Sequence, residues 1–126
     1  MIPDITFRSE VLEYAADTYG TTPEYLWMKT PYTAVLRNSQ TSKWYGVIMD
    51  IPRNRLGLSG NGFVDVLNVK CQPLMIDSVL LQSGFLPAYH MNKMHWVSIL
   101  LDGQVNLDTI FRFLDRSFNA TDSHKK

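Results

Sequence analysis

The clearest β-strand in this chain reads Phe63-Val-Asp-Val-Leu-Asn-Val-Lys70. Apolar side chains alternate along it, and the more consistently apolar side is formed by Phe63, Leu67 and Val69, which we expect to face the core. Directly after this strand, Pro73 suits the first turn of a helix, and Gly84 is placed to end that helix. The middle of the chain is therefore predicted to be a strand followed by a short helix.

Short runs rich in β-branched and aromatic residues precede this strand and predict a three-stranded meander. They are Tyr25-Leu-Trp-Met28, Thr33-Ala-Val-Leu-Arg37 and Trp44-Tyr-Gly-Val-Ile-Met49. Pro31 and the polar residues 38–42 separate these runs as turns do. Residues 52–62 then form a flexible, locally basic connection that carries several glycines.

Two amphipathic helices are predicted near the ends of the chain. The first covers residues 7–19 and ends at Gly20, and the last begins after Asn106, a good N-cap residue. A further strand, residues 96–101, stops at Asp102-Gly103. The order of helix, three or four strands, helix, one or two strands and helix indicates an α+β fold with helices on a single antiparallel sheet. We assign residues 1–118 to one domain and expect residues 119–126 to form a frayed tail.

Length and composition exclude several classes of protein. A chain of 126 residues with 45% hydrophobic and 12% aromatic side chains can bury a core, so it is not disordered. The formal net charge of zero excludes a protein that coats nucleic acid by bulk electrostatics. Cys71 is the one cysteine, the N-terminal residues lack an export pattern, and no stretch is long and apolar enough to span a bilayer. We therefore expect a cytoplasmic protein without membrane contact.

The zero net charge conceals an uneven distribution along the chain. Residues 1–36 carry two basic and five acidic side chains, a net charge of −3. Residues 37–95 carry six basic and three acidic side chains, a net charge of +3, whereas residues 96–126 are balanced. Aromatic rings lie among the central cations, as on a surface that contacts phosphates and stacks on bases. The alternative is a solvated sheet edge whose charges discourage aggregation.

The densest group of polar and aromatic residues reads Pro87-Ala-Tyr-His-Met-Asn-Lys-Met-His-Trp96. Such a composition is unusual for a plain connection, because loops carry function more often than the elements they join. The competing interpretation is a structured turn in which Asn92 and the histidines satisfy backbone groups.

Patterns typical of catalysis, metal binding or cofactor binding are missing from the sequence. His90 and His95 are five residues apart, a spacing that points two imidazoles in different directions on either a strand or a helix. Cys71 follows Lys70 and precedes a helix, which favours a lower thiol pKa, but a lone cysteine is more often a small buried hydrophobe. No phosphate-loop, dinucleotide-binding or hydrolase motif occurs. We expect no metal, no cofactor and no enzymatic activity.

Several segments together resemble the MmcQ/YjbR family of small bacterial proteins, in the family's order and over nearly the whole chain. They are Lys43-Trp-Tyr-Gly-Val-Ile-Met49, Val66-Leu-Asn-Val-Lys-Cys71 with Pro73, the Pro87 to Trp96 segment, and Leu100-Leu-Asp-Gly103. The resemblance implies a fold similar to secretion-chaperone-like and CyaY-like domains. It also implies DNA binding through a "double-wing" arrangement of strands and loops, although one fold can host unrelated functions.

Three functional hypotheses follow. The first is DNA binding, in which at most six cations engage phosphates and give a salt slope no steeper than about −5. The residues proposed for nucleic-acid contact are Lys43, Trp44, Arg53, Arg55, Lys70, Tyr89, His90, Asn92, Lys93, His95 and Trp96. The second is a non-enzymatic protein-interaction or chaperone-like adaptor, whose partner is another protein. The third is a small-ligand or enzyme site at which Cys71, His90 and His95 lie close together.

Overall fold

The computed structural model describes residues 5–122, which form three α-helices, one short 3-10 helix and five strands. In chain order they are α1 (Arg8–Tyr19), β1 (Ala34–Arg37), β2 (Trp44–Pro52), a short 3-10 helix (Arg53–Leu56), β3 (Phe63–Lys70), α2 (Pro73–Leu80), β4 (Phe85–Pro87), β5 (Trp96–Leu100) and α3 (Leu107–Ala120). This order confirms the predicted α+β arrangement, with a helix, three strands, a helix, two strands and a helix. None of these helices is long and apolar enough to cross a membrane.

The strands form a single antiparallel sheet in the order β1-β2-β3-β5-β4. One face packs against α1 and α3, where Ile48, Leu67 and Leu114 belong to the main core. The other face holds a smaller cluster that includes Ile51 and Val66 and is covered by residues of the flanking loops. The central strand β3 is therefore buried on both faces, which explains why its alternation is incomplete.

Two sequence predictions about the strands are wrong. Phe63, expected to face the core, is 62% exposed, because it is the first residue of β3 and pairs with Pro52 at the very end of β2. Residues 25–28 do not form a strand, since this stretch pairs with β1 only through a bridge between Glu24 and Val35. A turn closed by Thr33 N and Thr30 O at 3.1 Å brings the chain back into β1 and leaves residues 25–28 exposed.

The helix ends follow local chemistry. Gly20 ends α1 with a φ of +67°, a conformation that glycine adopts without strain. Asn106 caps α3, where its side-chain oxygen accepts a hydrogen bond from Thr109 N at 2.9 Å. Gly84 does not end α2 as expected. The helix stops at Leu80, and Gly84 lies in the following turn with a φ of +89°.

Aromatic side chains and one carboxylate join α1 to α3. Tyr14 stacks on Phe111 with ring centroids 4.1 Å apart, and Tyr19 stacks on Phe118 at 4.0 Å. Both tyrosine hydroxyls donate to the carboxylate of Asp115, at 2.9 Å from Tyr14. Burial and the adjacent carboxylate raise the pKa of Tyr19, so this hydroxyl remains a donor.

Ser117 fixes α3 against the sheet at a register irregularity. Leu36 pairs with Gly46 but Arg37 pairs with Trp44, so Tyr45 is left without a partner on β1. The Ser117 hydroxyl donates to the carbonyl oxygen of Tyr45 at 2.5 Å and accepts from Lys70 N at 2.9 Å. One side chain thus satisfies two backbone groups on neighbouring strands.

Part of the expected C-terminal tail belongs to the folded chain. The helix α3 continues to Ala120, and the buried Thr121 accepts a hydrogen bond from Asn38 Nδ2 at 3.1 Å. The rest of that tail, residues 123–126, and residues 1–4 lie outside the described residues.

Candidate nucleic-acid interface

Strand pairing brings most of the proposed contact residues to one end of the sheet. There β2 begins at Trp44 and β3 ends at Lys70, and Lys70 pairs with Trp96, the first residue of β5. The segment 88–95, which joins β4 to β5, lies at this same end. We call these residues, together with the adjoining Lys43, the Trp44 end of the sheet.

Arg53 and Arg55 do not belong to this group, which corrects the prediction of one cationic surface. They follow Pro52, the last residue of β2, and β2 is nine residues long. At about 3.3 Å per residue, Pro52 is roughly 26 Å from Trp44, and both arginines lie beyond Pro52. Arg53 also donates from Nε to the carbonyl oxygen of Ser59 at 2.7 Å, so its side chain helps to close its own loop.

Two polar residues buried in neighbouring strands hold the segment 88–95 against the sheet. Asn68 on β3 donates from Nδ2 to the carbonyl oxygen of Tyr89 at 3.3 Å and accepts a hydrogen bond from the hydroxyl of Ser98 on β5. That hydroxyl in turn accepts from Tyr89 N at 3.0 Å. Neither residue is among the candidate site residues, although two polar residues within apolar strands are a signal visible in the sequence.

Within this segment, Asn92 supports a turn. Its side-chain oxygen accepts a hydrogen bond from Met94 N at 2.8 Å, and its carbonyl oxygen accepts one from His95 N at 3.1 Å. His90 has a φ of +59°, and its ring lies 4.2 Å from the ring of Tyr89. The structured-turn interpretation is therefore correct for Asn92, whereas neither histidine side chain hydrogen-bonds to the backbone within residues 5–122.

Two cross-strand pairs place a cation over a tryptophan ring. Lys70 Nζ lies 5.5 Å from the ring centroid of Trp96, and the Arg37 guanidinium lies 6.0 Å from that of Trp44. Trp96 is buried, so its ring is not free to stack on a base. Arg37 is also paired with Glu24 at 2.9 Å, and this pairing lowers the pKa of the Glu24 carboxyl.

The remaining proposed residues at the Trp44 end face solvent. Lys43, His90, Lys93 and His95 are exposed, and Trp44 is half-buried. The ring of Trp44 makes an edge contact with that of Trp27 at 5.9 Å. This end of the sheet therefore presents separate positive charges beside aromatic rings, rather than one continuous basic surface.

A cleft of about 690 Å³ opens beside this end, between the end of β3, the start of α2 and the last turns of α3. Its polar lining comes from Lys70, Cys71, Gln72, His95, Arg116 and Asn119. Cys71 N donates to the carbonyl oxygen of His95 at 2.8 Å, so these two of the three residues in the third hypothesis lie together. His90 does not line the cleft.

The chemistry of Cys71 argues against an activated nucleophile. Burial raises the pKa of its thiol, and the positive charge of Arg116 opposes that shift only in part. Arg116 itself was not singled out from the sequence, because nothing in the linear order places it beside Cys71.

The chain is similar to one protein family, to a curated relative and to solved structures. The YjbR family model matches residues 16–120. The uncharacterized protein YyaQ of Bacillus subtilis is 40% identical over 114 residues, which cover 90% of this chain and 97% of that protein. A crystal structure of a Pseudomonas syringae protein superposes with a TM-score of 0.89 at 40% identity, covering 91% of this chain and 98% of that one.

A more distant solved structure shares the fold. The Deinococcus radiodurans protein DR2400 superposes with a TM-score of 0.71 at 17% identity, covering all of this chain and 86% of that chain. The arrangement of helices on the sheet is thus common to chains with little sequence in common.

Proposed function

This chain belongs to the YjbR family, and from that premise we propose that it binds DNA through the Trp44 end of its sheet. In this proposal Lys43, Lys70 and Lys93 contact phosphates, while Trp44 and His90 provide flat rings for a sugar or an unpaired base. Arg53 and Arg55 take no part, because they lie at the opposite end of the sheet.

The main support for DNA binding is the position of two lysines. Lys43 and Lys93 are far apart in the sequence but are exposed at the same end of the sheet. Neither lysine forms a salt bridge within residues 5–122, so both ammonium groups are free to meet a phosphate. Tyr89 is tied to Asn68 and Ser98, which supports the segment that carries Lys93. Three lysines contact fewer phosphates than the six cations expected from the sequence.

The number of phosphate contacts determines how strongly the affinity for DNA depends on salt. With three phosphate contacts, the logarithm of the association constant should fall against the logarithm of salt concentration with a slope of about −3 on duplex DNA. Such binding is weak at physiological salt and is best measured at low ionic strength.

The test is fluorescence anisotropy of labelled duplex and single-stranded DNA with the intact chain and two matched variants. Lys93→Gln should weaken binding by about threefold to tenfold and reduce the salt slope by about one. Arg55→Gln removes the same charge from the opposite end of the sheet and should leave affinity unchanged. Equal losses in the two variants, or no binding at low salt, would contradict the proposal.

An adaptor that binds another protein is the second candidate, and one observation favours it. Tyr25, Leu26, Trp27, Met28 and Tyr32 are all exposed in the loop before β1. Contiguous exposed apolar side chains often mark protein-binding surfaces. This candidate predicts a partner whose retention is unaffected by moderate salt and is reduced by Met28→Gln, a position that is 96% exposed.

A further inference from the structure

The cleft beside Cys71 has the size of a binding site for a small molecule. Its volume is about 690 Å³, within the range of roughly 300–1,000 Å³ that is common for ligand pockets. Its walls come from three separate elements, with Cys71 following β3, Pro73 opening α2 and Arg116 on α3. We refer to it as the Arg116 cleft.

The charges around the Arg116 cleft are all positive. Lys70 and Arg116 line it from different elements, and no aspartate or glutamate is among its lining residues. Within residues 5–122, neither cation forms a salt bridge with a carboxylate. Both are instead held over rings, with Lys70 at 5.5 Å from Trp96 and Arg116 at 5.4 Å from Phe113. The cleft therefore offers two uncompensated cations to an anion.

Apart from His95 and Cys71, the rest of the lining is apolar or uncharged. Pro73, Met75 and Phe113 contribute hydrophobic surface, and Asn119 contributes a neutral amide. An inorganic anion would leave this apolar surface uncovered. A neutral apolar molecule would leave the two cations without partners, so neither class matches the whole cleft.

We propose that the Arg116 cleft binds a small organic anion, a carboxylate or phosphate monoester carried on an apolar ring or chain. The guanidinium of Arg116 binds the anionic group through paired N–H donors, assisted by Lys70. The apolar body of the ligand packs on Phe113 and Met75. This site shares Lys70 with the proposed DNA surface but involves neither Lys43 nor Lys93, and the group that binds the anion is Arg116.

The test is a titration of the intact chain followed by ¹H–¹⁵N NMR with four probes. Benzoate and phenyl phosphate carry both a ring and a negative charge, benzyl alcohol carries the ring alone, and inorganic phosphate carries the charge alone. We expect the first two probes to shift the amides of Cys71 and Arg116 with dissociation constants of about 1 mM or below. The two partial probes should bind at least about tenfold more weakly.

Two variants of α3 separate a specific site from general attraction of anions. Arg116→Gln should weaken benzoate binding about tenfold, whereas Arg112→Gln, one turn earlier and outside the cleft, should change it less than about twofold. Lys93→Gln should have no effect, which distinguishes this site from the DNA surface.

Protection of Cys71 provides an independent measurement. Because the thiol lines the cleft, saturating benzoate should slow its alkylation by iodoacetamide, and benzyl alcohol at the same concentration should not. The proposal is overturned if Arg116→Gln binds benzoate normally or if shifts appear only at the apolar loop 25–32. It is also overturned if inorganic phosphate or benzyl alcohol binds as tightly as benzoate.

Discussion

Arg8 forms a two-point ion pair with Asp65, with Nη2 to Oδ1 at 3.0 Å and Nε to Oδ2 at 3.1 Å. This pair ties the first turn of α1 to β3. Asp65 lies directly opposite Asp50 in the pairing of β2 with β3, so two carboxylates face each other across the strands. Arg8 supplies the counter-charge that makes this arrangement tolerable.

Arg8→Gln should lower the free energy of unfolding by about 2 kcal/mol, because it leaves the shielded Asp65 carboxylate without its charged partner. Urea denaturation followed by circular dichroism measures this loss. Arg37→Gln, which breaks the more exposed pair with Glu24, is the control and should cost clearly less. A loss at Arg8 no larger than at Arg37 would contradict the assigned role.

Gly84→Ala should be more destabilising than Gly62→Ala. Both glycines have a positive φ, so alanine carries a backbone cost of about 1–2 kcal/mol at either position. A Cβ at Gly84 would also lie 2.5 Å from Val105 Cγ2, whereas a Cβ at Gly62 has open space. We expect an additional loss of about 1–3 kcal/mol at Gly84 from the steric clash. Thermal or urea unfolding of the two variants provides the comparison.

Ser98→Ala should loosen the segment that carries Lys93. The substitution removes the acceptor for Tyr89 N and the donor to Asn68 Oδ1, and leaving buried groups unpaired costs about 1–3 kcal/mol. Hydrogen exchange at Tyr89 should accelerate more than exchange in α3. Ser78→Ala, on the exposed surface of α2, is the control, and unchanged exchange at Tyr89 in Ser98→Ala would contradict the role.

Alkylation of Cys71 should require a higher pH than that of an unperturbed cysteine. Burial raises the thiol pKa, so the reactive thiolate forms only as the pH rises above the ordinary range. Arg116 lowers this pKa, and Arg116→Gln should therefore raise it further and slow alkylation at pH about 8. Rates of iodoacetamide labelling across pH measure both effects, and a midpoint below that of a free thiol would contradict them.

Local signals predicted the end of α1 and the start of α3 best. Gly20 and Asn106 end and begin their helices through their own backbone and side-chain chemistry, which neighbouring residues alone determine. The alternating pattern likewise located β3 correctly. Residues 25–28 show the limit of such signals, because the same aromatic composition suits either a strand or an exposed loop until a pairing partner is known.

The candidate site was predictable only in part, because strand pairing rather than sequence distance decides which residues meet. Arg53 and Lys43 share the basic middle of the sequence, but β2 separates them along its whole length. Arg116 is the converse case, since it lies far from Cys71 in sequence and lines the same cleft. Counting charge by segment could find neither relationship.

The two hydrogen bonds of Ser117 have a thermodynamic consequence for the neighbouring cleft. Ser117 is adjacent to Arg116 and binds Lys70 N directly, so the wall on α3 and the wall on β3 are joined through one hydroxyl. A rotation or one-turn slip of α3 would remove the hydrogen-bond partner of the Tyr45 carbonyl on β2 and of Lys70 N on β3. A ligand bound in the proposed manner would meet walls that are already in position, and little of its binding free energy would be lost to ordering the protein.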